Sequence, residues 1–260
     1  MTILPFPLPR SDAVVLIPTY NERDNIAAII QAVIEAADVD VWILDDASPD
    51  GTGVIADEIA AGEPRVQVIH RARKAGIGRA YRDGFAAALA AGYARIVTMD
   101  ADFSHPPSTL PDLLALSESY DLVLGSRWVH GGGTQGWPLL RQLISRGGSL
   151  YARGVLGKPV RDFTGGFKCF RREVLEAIDL ARVRCTGYAF QIEMTYRAMR
   201  LGFRVKETPI VFVERRRGTS KMSWRIITEA MMRVPQLRLR ASLTDPLRRH
   251  TKARWERAQT

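Results

Sequence analysis

The chain has 260 residues, 46% hydrophobic and 25% charged, with a formal net charge of +9. That is apolar material for one sizeable core, or for a domain with an extension, and it excludes a low-complexity or disordered chain. Two cysteines, Cys169 and Cys185, are too few for a disulfide framework and read as reduced cytosolic thiols. The stretch from Met1 to Arg10 is interrupted by prolines and lacks the apolar run of a signal peptide, so an extended lead-in is expected there. No segment reaches the roughly eighteen apolar residues of a membrane span. The best candidate, Ile226 to Leu239, is broken by Glu229, Arg233, Pro235 and Arg238. The charge is divided sharply along the chain. Residues 1–130 hold 10 Lys/Arg against 18 Asp/Glu, and residues 131–260 hold 27 against 10. The basic half asks for an anionic partner, and charge alone leaves nucleic acid, a phospholipid surface and a phosphorylated substrate all open.

In chain order, Ala13–Ile17 is a continuous apolar run, the pattern of a strand covered on both faces. Asn21 and Asp24 offer capping side chains before Ile26, Ile29, Ile30, Val33 and Ile34 at helical spacing. Strands follow at Val41–Leu44, Val66–Ile69, Arg95–Met99 and Leu122–Leu124, with helices at Gly51–Ala61 and Gly76–Ala91 between them. The alternation predicts an α/β fold: a mostly parallel sheet with helices on both faces, and ligands beyond the carboxyl ends of the strands. After Gly125 the pattern loosens. A flexible loop is expected at Gly131–Gly133, a helix over Pro138–Leu156, a strand over Thr164–Phe170 and a helix over Tyr188–Leu201. A strand over Phe203–Val213, a polar loop from Arg215 to Lys221 and a basic amphipathic helix complete the reading. No repeat or linker appears, so the expected organisation is a catalytic domain over 1–225 and a basic C-terminal extension over 226–260.

Asp100 and Asp102 follow the apolar run Ile96–Met99 directly, which places both carboxylates at a strand end. Alternate positions on an extended strand point the same way, so the pair can share a hard cation. Oxygen ligands suit Mg2+ or Mn2+, ions that also neutralise a diphosphate. Asp45 and Asp46 stand in the same place after another strand. They form either an Asp-rich turn capping the next helix or carboxylates that accept hydrogen bonds from a nucleotide. Tyr20, in Pro18-Thr-Tyr-Asn-Glu22, is either packing or a ring beneath a base. There is no Walker loop, Gly76-Ile-Gly78 reads as a helix entrance rather than a dinucleotide fingerprint, and His105 reads as a loop residue.

Taken together and in order, four motifs resemble the inverting family 2 glycosyltransferases of GT-A (Rossmann-like nucleotide-diphospho-sugar transferase) fold. They are Pro18–Glu22, Asp45–Thr52, Asp100–Pro107 and Gly125-Ser-Arg127. Asp162-Phe-Thr-Gly-Gly-Phe167, Gly187–Glu193 and Arg215–Lys221 are similar to motifs of the dolichol- or polyprenol-phosphate mannose synthases within that family. The resemblance, over about residues 12–225, implies that Pro18, Tyr20, Glu22 and Asp46 serve the nucleotide, with Asp45 adjacent. It makes Asp100 and Asp102 metal ligands and puts Ala101 beside the donor. Ser104 stands where some members supply a glutamine ligand; a serine ligates more weakly, so water would complete the shell. Arg127, Arg215 and Lys221 match residues that contact donor or acceptor phosphates, and Arg141 and Ser145 match the site for the lipid phosphate.

What the resemblance implies is mannose transfer from GDP-mannose to a polyprenyl (dolichyl) monophosphate with inversion, by a cytoplasmic enzyme peripheral to the membrane. A phosphate acceptor needs no general base, because its second pKa is about 6. The C-terminal stretch around Trp224, Ile226, Ile227, Met231 and Val234 is either an interfacial helix or one packed on the domain. Membrane contact would come through that helix or through a membrane-protein partner. The near alternative is another sugar, such as UDP-glucose, or another acceptor. The far one is a nucleic-acid-binding module, but no groove-reading motif supports it and it leaves the acidic strand ends unexplained, so no nucleic-acid partner is expected.

Overall fold

The computed structural model describes residues 9–183, 185, 187–214 and 231–239, with the backbone alone for Tyr188. Its first half is β1 (Ala13–Thr19), α1 (Arg23–Ala36), β2 (Asp40–Asp45), α2 (Thr52–Gly62), β3 (Val66–His70), α3 (Ile77–Ala91), β4 (Arg95–Thr98), α4 (Leu110–Leu116) and β5 (Leu122–Ser126). The expected strands and helices are present with their ends shifted by a residue or two. The short α4 is an addition that the apolar pattern does not announce. The second half comprises β6 (Gly133–Gln135), α5 (Leu139–Leu156), β7 (Lys168–Arg171), α6 (Arg172–Ala177), α7 (Gly187–Arg200), β8 (Val205–Pro209) and β9 (Val211–Val213). Residues 231–239 are helical.

Seven strands form one sheet in the order β3-β2-β1-β4-β7-β5-β8, parallel except for β7, which runs antiparallel between β4 and β5. The unbroken apolar runs follow from coverage on both faces. Ala13, Val15 and Ile17 pack with Ile26, Ile30 and Val33 of α1 on one side. Val14 and Leu16 pack with Tyr81 and Phe85 of α3 on the other, where Phe190 and Met194 of α7 join them. A Cβ at position 84 would stand 2.7 Å from Leu44 Cδ1, so Gly84 lets α3 lie directly on the sheet.

Four expectations are corrected. Neither Asn21 nor Asp24 caps α1. Its N-cap residue is Glu22, with no side-chain cap, and the N–H groups leading into and opening the helix go to the neighbouring 48–52 turn: Ser48 Oγ accepts from Asn21 N (3.1 Å), Thr52 Oγ1 from Glu22 N (3.0 Å) and Asp50 Oδ2 from Arg23 N (3.1 Å). The strand expected from Thr164 begins only at Lys168, because residues 164–167 turn around Asp162. The strand expected over Phe203–Val213 breaks at Ile210. Pro209 closes β8, and the Ile210 N–H donates to Ser126 O (3.0 Å) while its carbonyl accepts from Gly133 N (3.0 Å). β9 then pairs with β6 in a second, two-stranded sheet. The triple glycine is therefore a fixed corner: a Cβ on Gly132 would lie 2.5 Å from Ser126 O. The helical segment 231–239 packs back on the body, with Val234 buried among Leu156, Phe163 and Tyr196.

Lys168 is fully buried in the middle of the sheet. Its Nζ donates to Gln191 O (2.7 Å) and Thr195 Oγ1 (2.9 Å), and burial pulls its pKa down to about 7. The unfolded chain, with an ordinary lysine, then holds more protons than the folded one between pH 7 and about 10.5, so Lys168 makes stability rise with pH across that window. The slope is at most about 1.4 kcal/mol per pH unit. In urea titrations at pH 7.5 and 9.5, Lys168→Met is expected to lose this increment relative to the wild type. Parallel profiles for the two proteins would show that Lys168 does not titrate there.

Candidate active site

A cavity of about 420 Å³ opens beyond the carboxyl ends of β1, β4 and β5. Pro18, Tyr20 and Glu22 reach it from β1, Asp46 from the loop after β2, and Asp100, Ala101, Asp102 and Ser104 from the turn after β4. Arg127 comes from the end of β5, Arg141 and Ser145 from α5, Gln191 from α7, and Met231 and Val234 from the helical segment behind it. All the expected site residues that the structure describes meet here except Asp45. Arg215, Lys221, Trp224, Ile226 and Ile227 lie outside the described residues.

The two carboxylates after β2 divide the work. Asp45 accepts from Thr19 Oγ1 (2.9 Å), Ser48 N (3.0 Å) and Ser48 Oγ (2.6 Å), which makes it the knot of the turn that caps α1. It is not on the cavity wall, which the turn-capping alternative accounts for. Asp46 is on the wall. It pairs with Arg71 and accepts from Ala75 N (3.0 Å) and Gly76 N (3.3 Å), so it ties down the loop that leads into α3. That loop brings Lys74 over the Tyr20 ring, 3.7 Å from its centroid. Lys74 was not legible as a site residue, because only the closed loop places it beside Tyr20.

Asp100 and Asp102 are not alternate residues of a strand. β4 ends at Thr98, and the pair sits on a turn in which Phe103 has φ 62°. Both line the cavity; Asp102 is 5% exposed. Behind the turn lies His105, buried and stacked on Phe167 at 5.1 Å between centroids. Its Nδ1 accepts from Asp100 N (3.0 Å), which puts the neutral ring's proton on Nε2. Burial pushes the imidazole below its usual pKa despite the nearby Asp100 and Asp102 charges. His105 braces the turn that presents the carboxylates.

The donor set suits a hard divalent cation held jointly with a substrate. Ser104 Oγ is buried beside the pair with no hydrogen-bond partner, an oxygen in place for a ligand. No group of three or more His, Cys, Asp or Glu among the described residues could hold a metal ion by itself. Two carboxylates and a hydroxyl leave positions for phosphate oxygens and water, the usual arrangement for Mg2+ at a nucleotide.

On the opposite wall Arg127 is locked to Asp162. Nε and one Nη reach the two carboxylate oxygens at 2.7 Å each, and Arg127 N donates to Oδ2 at 3.0 Å. Burial by itself would raise the Asp162 carboxyl; the charge and hydrogen bonds of Arg127 outweigh it and hold the group below its usual value. Asp162 also accepts from Gly165 N (3.1 Å), shaping the Gly165-Gly166 floor of the cavity. Trp137 and Phe212 flank the guanidinium at 5.5 and 5.3 Å. Arg141 stacks on Trp137 at 4.0 Å and pairs with Glu214, and Ser145 is 8% exposed one turn further along α5. Asp162 was visible in sequence only as part of a motif. Gln191 likewise appeared only inside the Gly187–Glu193 motif, and Trp137 and Phe212 carried no signal, since buried aromatics are usually packing.

Comparison with known proteins fits this geometry. The family described as Glycosyl transferase family 2 matches residues 14–179. A polyprenol monophosphomannose synthase from Mycolicibacterium smegmatis is 48% identical over 238 residues, 90% of each chain. An undecaprenyl-phosphate mannosyltransferase from Micrococcus luteus is 48% identical over 87% of this chain and 93% of its own. Among solved structures, the fold is similar to that of glucosyl-3-phosphoglycerate synthase from Mycobacterium tuberculosis in complex with Mn2+, UDP and phosphoglyceric acid. That match has a TM-score of 0.62 at 23% identity and covers 85% of this chain and 78% of the other. The chain belongs to glycosyl transferase family 2, and its fold is the GT-A α/β fold expected from the motifs.

Removing one partner of a buried, hydrogen-bonded ion pair strands the other charge, at a cost of about 3–5 kcal/mol. Asp162→Ala is expected to lower the unfolding free energy by about that much in urea titrations, and Arg127→Met/Asp162→Leu to recover much of it. A loss under about 1 kcal/mol for the single variant would mean that water replaces the carboxylate.

Proposed function

We propose that this chain transfers mannose from GDP-mannose to a polyprenyl monophosphate with inversion, releasing GDP and a β-mannosyl phosphopolyprenol. The observation that carries the reading is one cavity lined by groups of both kinds: the strand-end carboxylates Asp46, Asp100 and Asp102, and Arg141 and Ser145 of α5. The relatives from M. smegmatis and M. luteus, whose names specify polyprenol or undecaprenyl phosphate and mannose, support the choice of acceptor and sugar.

In this reading Pro18, Tyr20, Glu22 and Asp46 hold the nucleotide. Lys74, itself on the cavity wall, lies over the Tyr20 ring. Asp100, Asp102 and Ser104 would hold Mg2+ or Mn2+, which when bound offsets the charge of the diphosphate. Arg141 and Ser145 orient the acceptor phosphate so that one of its oxygens faces the anomeric carbon. The new C–O bond forms as the bond from the anomeric carbon to the GDP oxygen breaks, and GDP departs from the opposite face. No side chain has to remove a proton, because the acceptor oxygen is already anionic near neutral pH. Arg127, held rigid by Asp162, positions the wall between the two phosphates. Arg215 and Lys221 are assigned to the same phosphates by their motif. Catalysis then rests on orientation and on charges fixed before the reaction.

The same reading divides the chain into a catalytic domain over 1–225 and a basic extension over 226–260, of which 231–239 closes the back of the cavity. No helix among the described residues is long and apolar enough to cross a membrane. We assign the enzyme to the cytoplasmic face of the membrane, peripherally bound, through its own surface or through a membrane-protein partner.

Purified protein incubated with labelled GDP-mannose, Mg2+ or Mn2+ and polyprenyl phosphate is expected to move label into an organic extract. UDP-glucose in place of GDP-mannose should give little, and equal transfer from both donors would refute the donor assignment. Asp100→Asn and Asp102→Asn should each lower transfer by roughly a hundredfold or more without altering the circular dichroism spectrum. Full activity in excess EDTA would remove the metal from the scheme.

Arg141→Ala is expected to raise KM for the lipid phosphate on the order of tenfold or more, while KM for GDP-mannose stays within about twofold. The reverse pattern would move the acceptor phosphate away from α5.

A further inference from the structure

Soluble proteins scatter their exposed large hydrophobics, and a cluster of them marks an interaction surface. Of the nine such side chains among the described residues, seven lie on α5 or on the segment 231–239. On α5, Leu139, Leu140, Leu143 and Leu150 are 77%, 69%, 67% and 66% exposed. At about 100° per residue, Leu139, Leu143 and Leu150 fall within about 40° of one another, on the side of the helix opposite Arg141, Ser145 and Gly148, which face the cavity. The adjoining segment, which exposes Met231 and Met232, is tied to α5 by the hydrogen bond from Tyr151 Oη to Met231 O (2.8 Å), toward the cavity side of the helix rather than on the leucine stripe.

The charges beside this patch identify what covers it. Neither Leu139–Leu156 nor 231–239 contains an aspartate or glutamate, and between them they carry Arg141, Arg146, Arg153, Arg233 and Arg238. Arg146 and Arg153 are exposed and lie along one flank of the leucine stripe. A long apolar stripe bordered by arginines without any acid is the pattern of a helix that lies in the plane of a bilayer interface. Its apolar side enters the acyl boundary and its cations meet anionic headgroups, each worth a favourable contact that salt weakens.

We propose that α5, with 231–239 beside it, is the surface by which the enzyme docks on an anionic phospholipid leaflet. The occupant rests on the polyprenyl phosphate acceptor assigned above. One face of α5 would hold the acceptor's phosphate in the cavity while the other face lies in the lipid that holds its tail. The docking element is then part of the active-site wall.

The test is sedimentation of the full chain with vesicles, read separately from catalysis. Wild-type protein should sediment with phosphatidylglycerol-containing vesicles, far less with pure phosphatidylcholine, and less again at high salt. Leu139→Ser/Leu143→Ser/Leu150→Ser should partition roughly tenfold or more weakly, since three large apolar groups no longer leave water. Arg146→Glu/Arg153→Glu, which leaves the leucines in place, should weaken binding to the anionic vesicles selectively. Both variants should transfer to a short, water-soluble acceptor phosphate within about twofold of wild type and lose transfer to the long-chain lipid. If the leucine variant sediments like wild type, or wild type binds neither kind of vesicle, the proposal is overturned. It is also overturned if wild type is a dimer that the leucine variant turns into a monomer. If no acceptor phosphate is mannosylated at all, the function proposed above fails, while the vesicle result still decides the role of α5.

Discussion

The architecture of the site depends on one buried ion pair. Asp162 carries two hydrogen bonds from the Arg127 side chain, one from its backbone and one from Gly165 N, all out of water. Its own backbone N–H donates to Glu207 of β8 at 2.8 Å, and Ser149 of α5 approaches its Oδ1 at 3.5 Å. The end of β5, the glycine floor and α5 are thereby referred to a single carboxylate, and β8 to the backbone N–H of the same residue. Desolvating two charges costs about as much as their attraction returns, so such a pair contributes little net stability. What it contributes here is a single arrangement: the cavity wall has one low-energy position, because any other leaves a buried charge unmatched.

Within that arrangement the two halves of the chain contribute differently to the cavity. The first half supplies the strand-end carboxylates Asp46, Asp100 and Asp102 together with Arg127, and the second supplies α5 with Arg141 and Ser145. Carboxylates suit a cation and guanidinium groups suit an anion, and one cavity holds both.

Rigidity is distributed to match. His105 stacks on Phe167 and holds the Asp100 backbone, and Asp46 with Arg71 holds the loop that carries Lys74. The residues facing the cavity are thus oriented by partners behind them, which lets fixed charges do electrostatic work without reorganising. α5 is the exception to this inward economy: one side belongs to the cavity and the other presents leucines to the outside.

The sequence by itself determined the sheet, the family and most of the site. Strands buried on both faces must be continuously apolar, and the chain must turn polar at their carboxyl ends, so Asp100 and Asp102 stood out by position, while position alone left Asp45 and Asp46 open between a turn and a nucleotide contact. Arg141 and Ser145 came only through a motif, since on an isolated helix they are an ordinary polar face. What the tertiary structure decided were the contacts between segments far apart in the chain. Asp45 proved to be the knot of a turn because Thr19 of the neighbouring strand and Ser48 occupy its oxygens. α1 is capped from the 48–52 turn rather than by its own Asn21 or Asp24, and the strand expected over Phe203–Val213 breaks where Ile210 bonds Ser126 and Gly133. Local pattern reports which residues prefer to be buried or extended. It carries no record of which distant donor will meet a given acceptor, because that depends on the packing of the whole sheet.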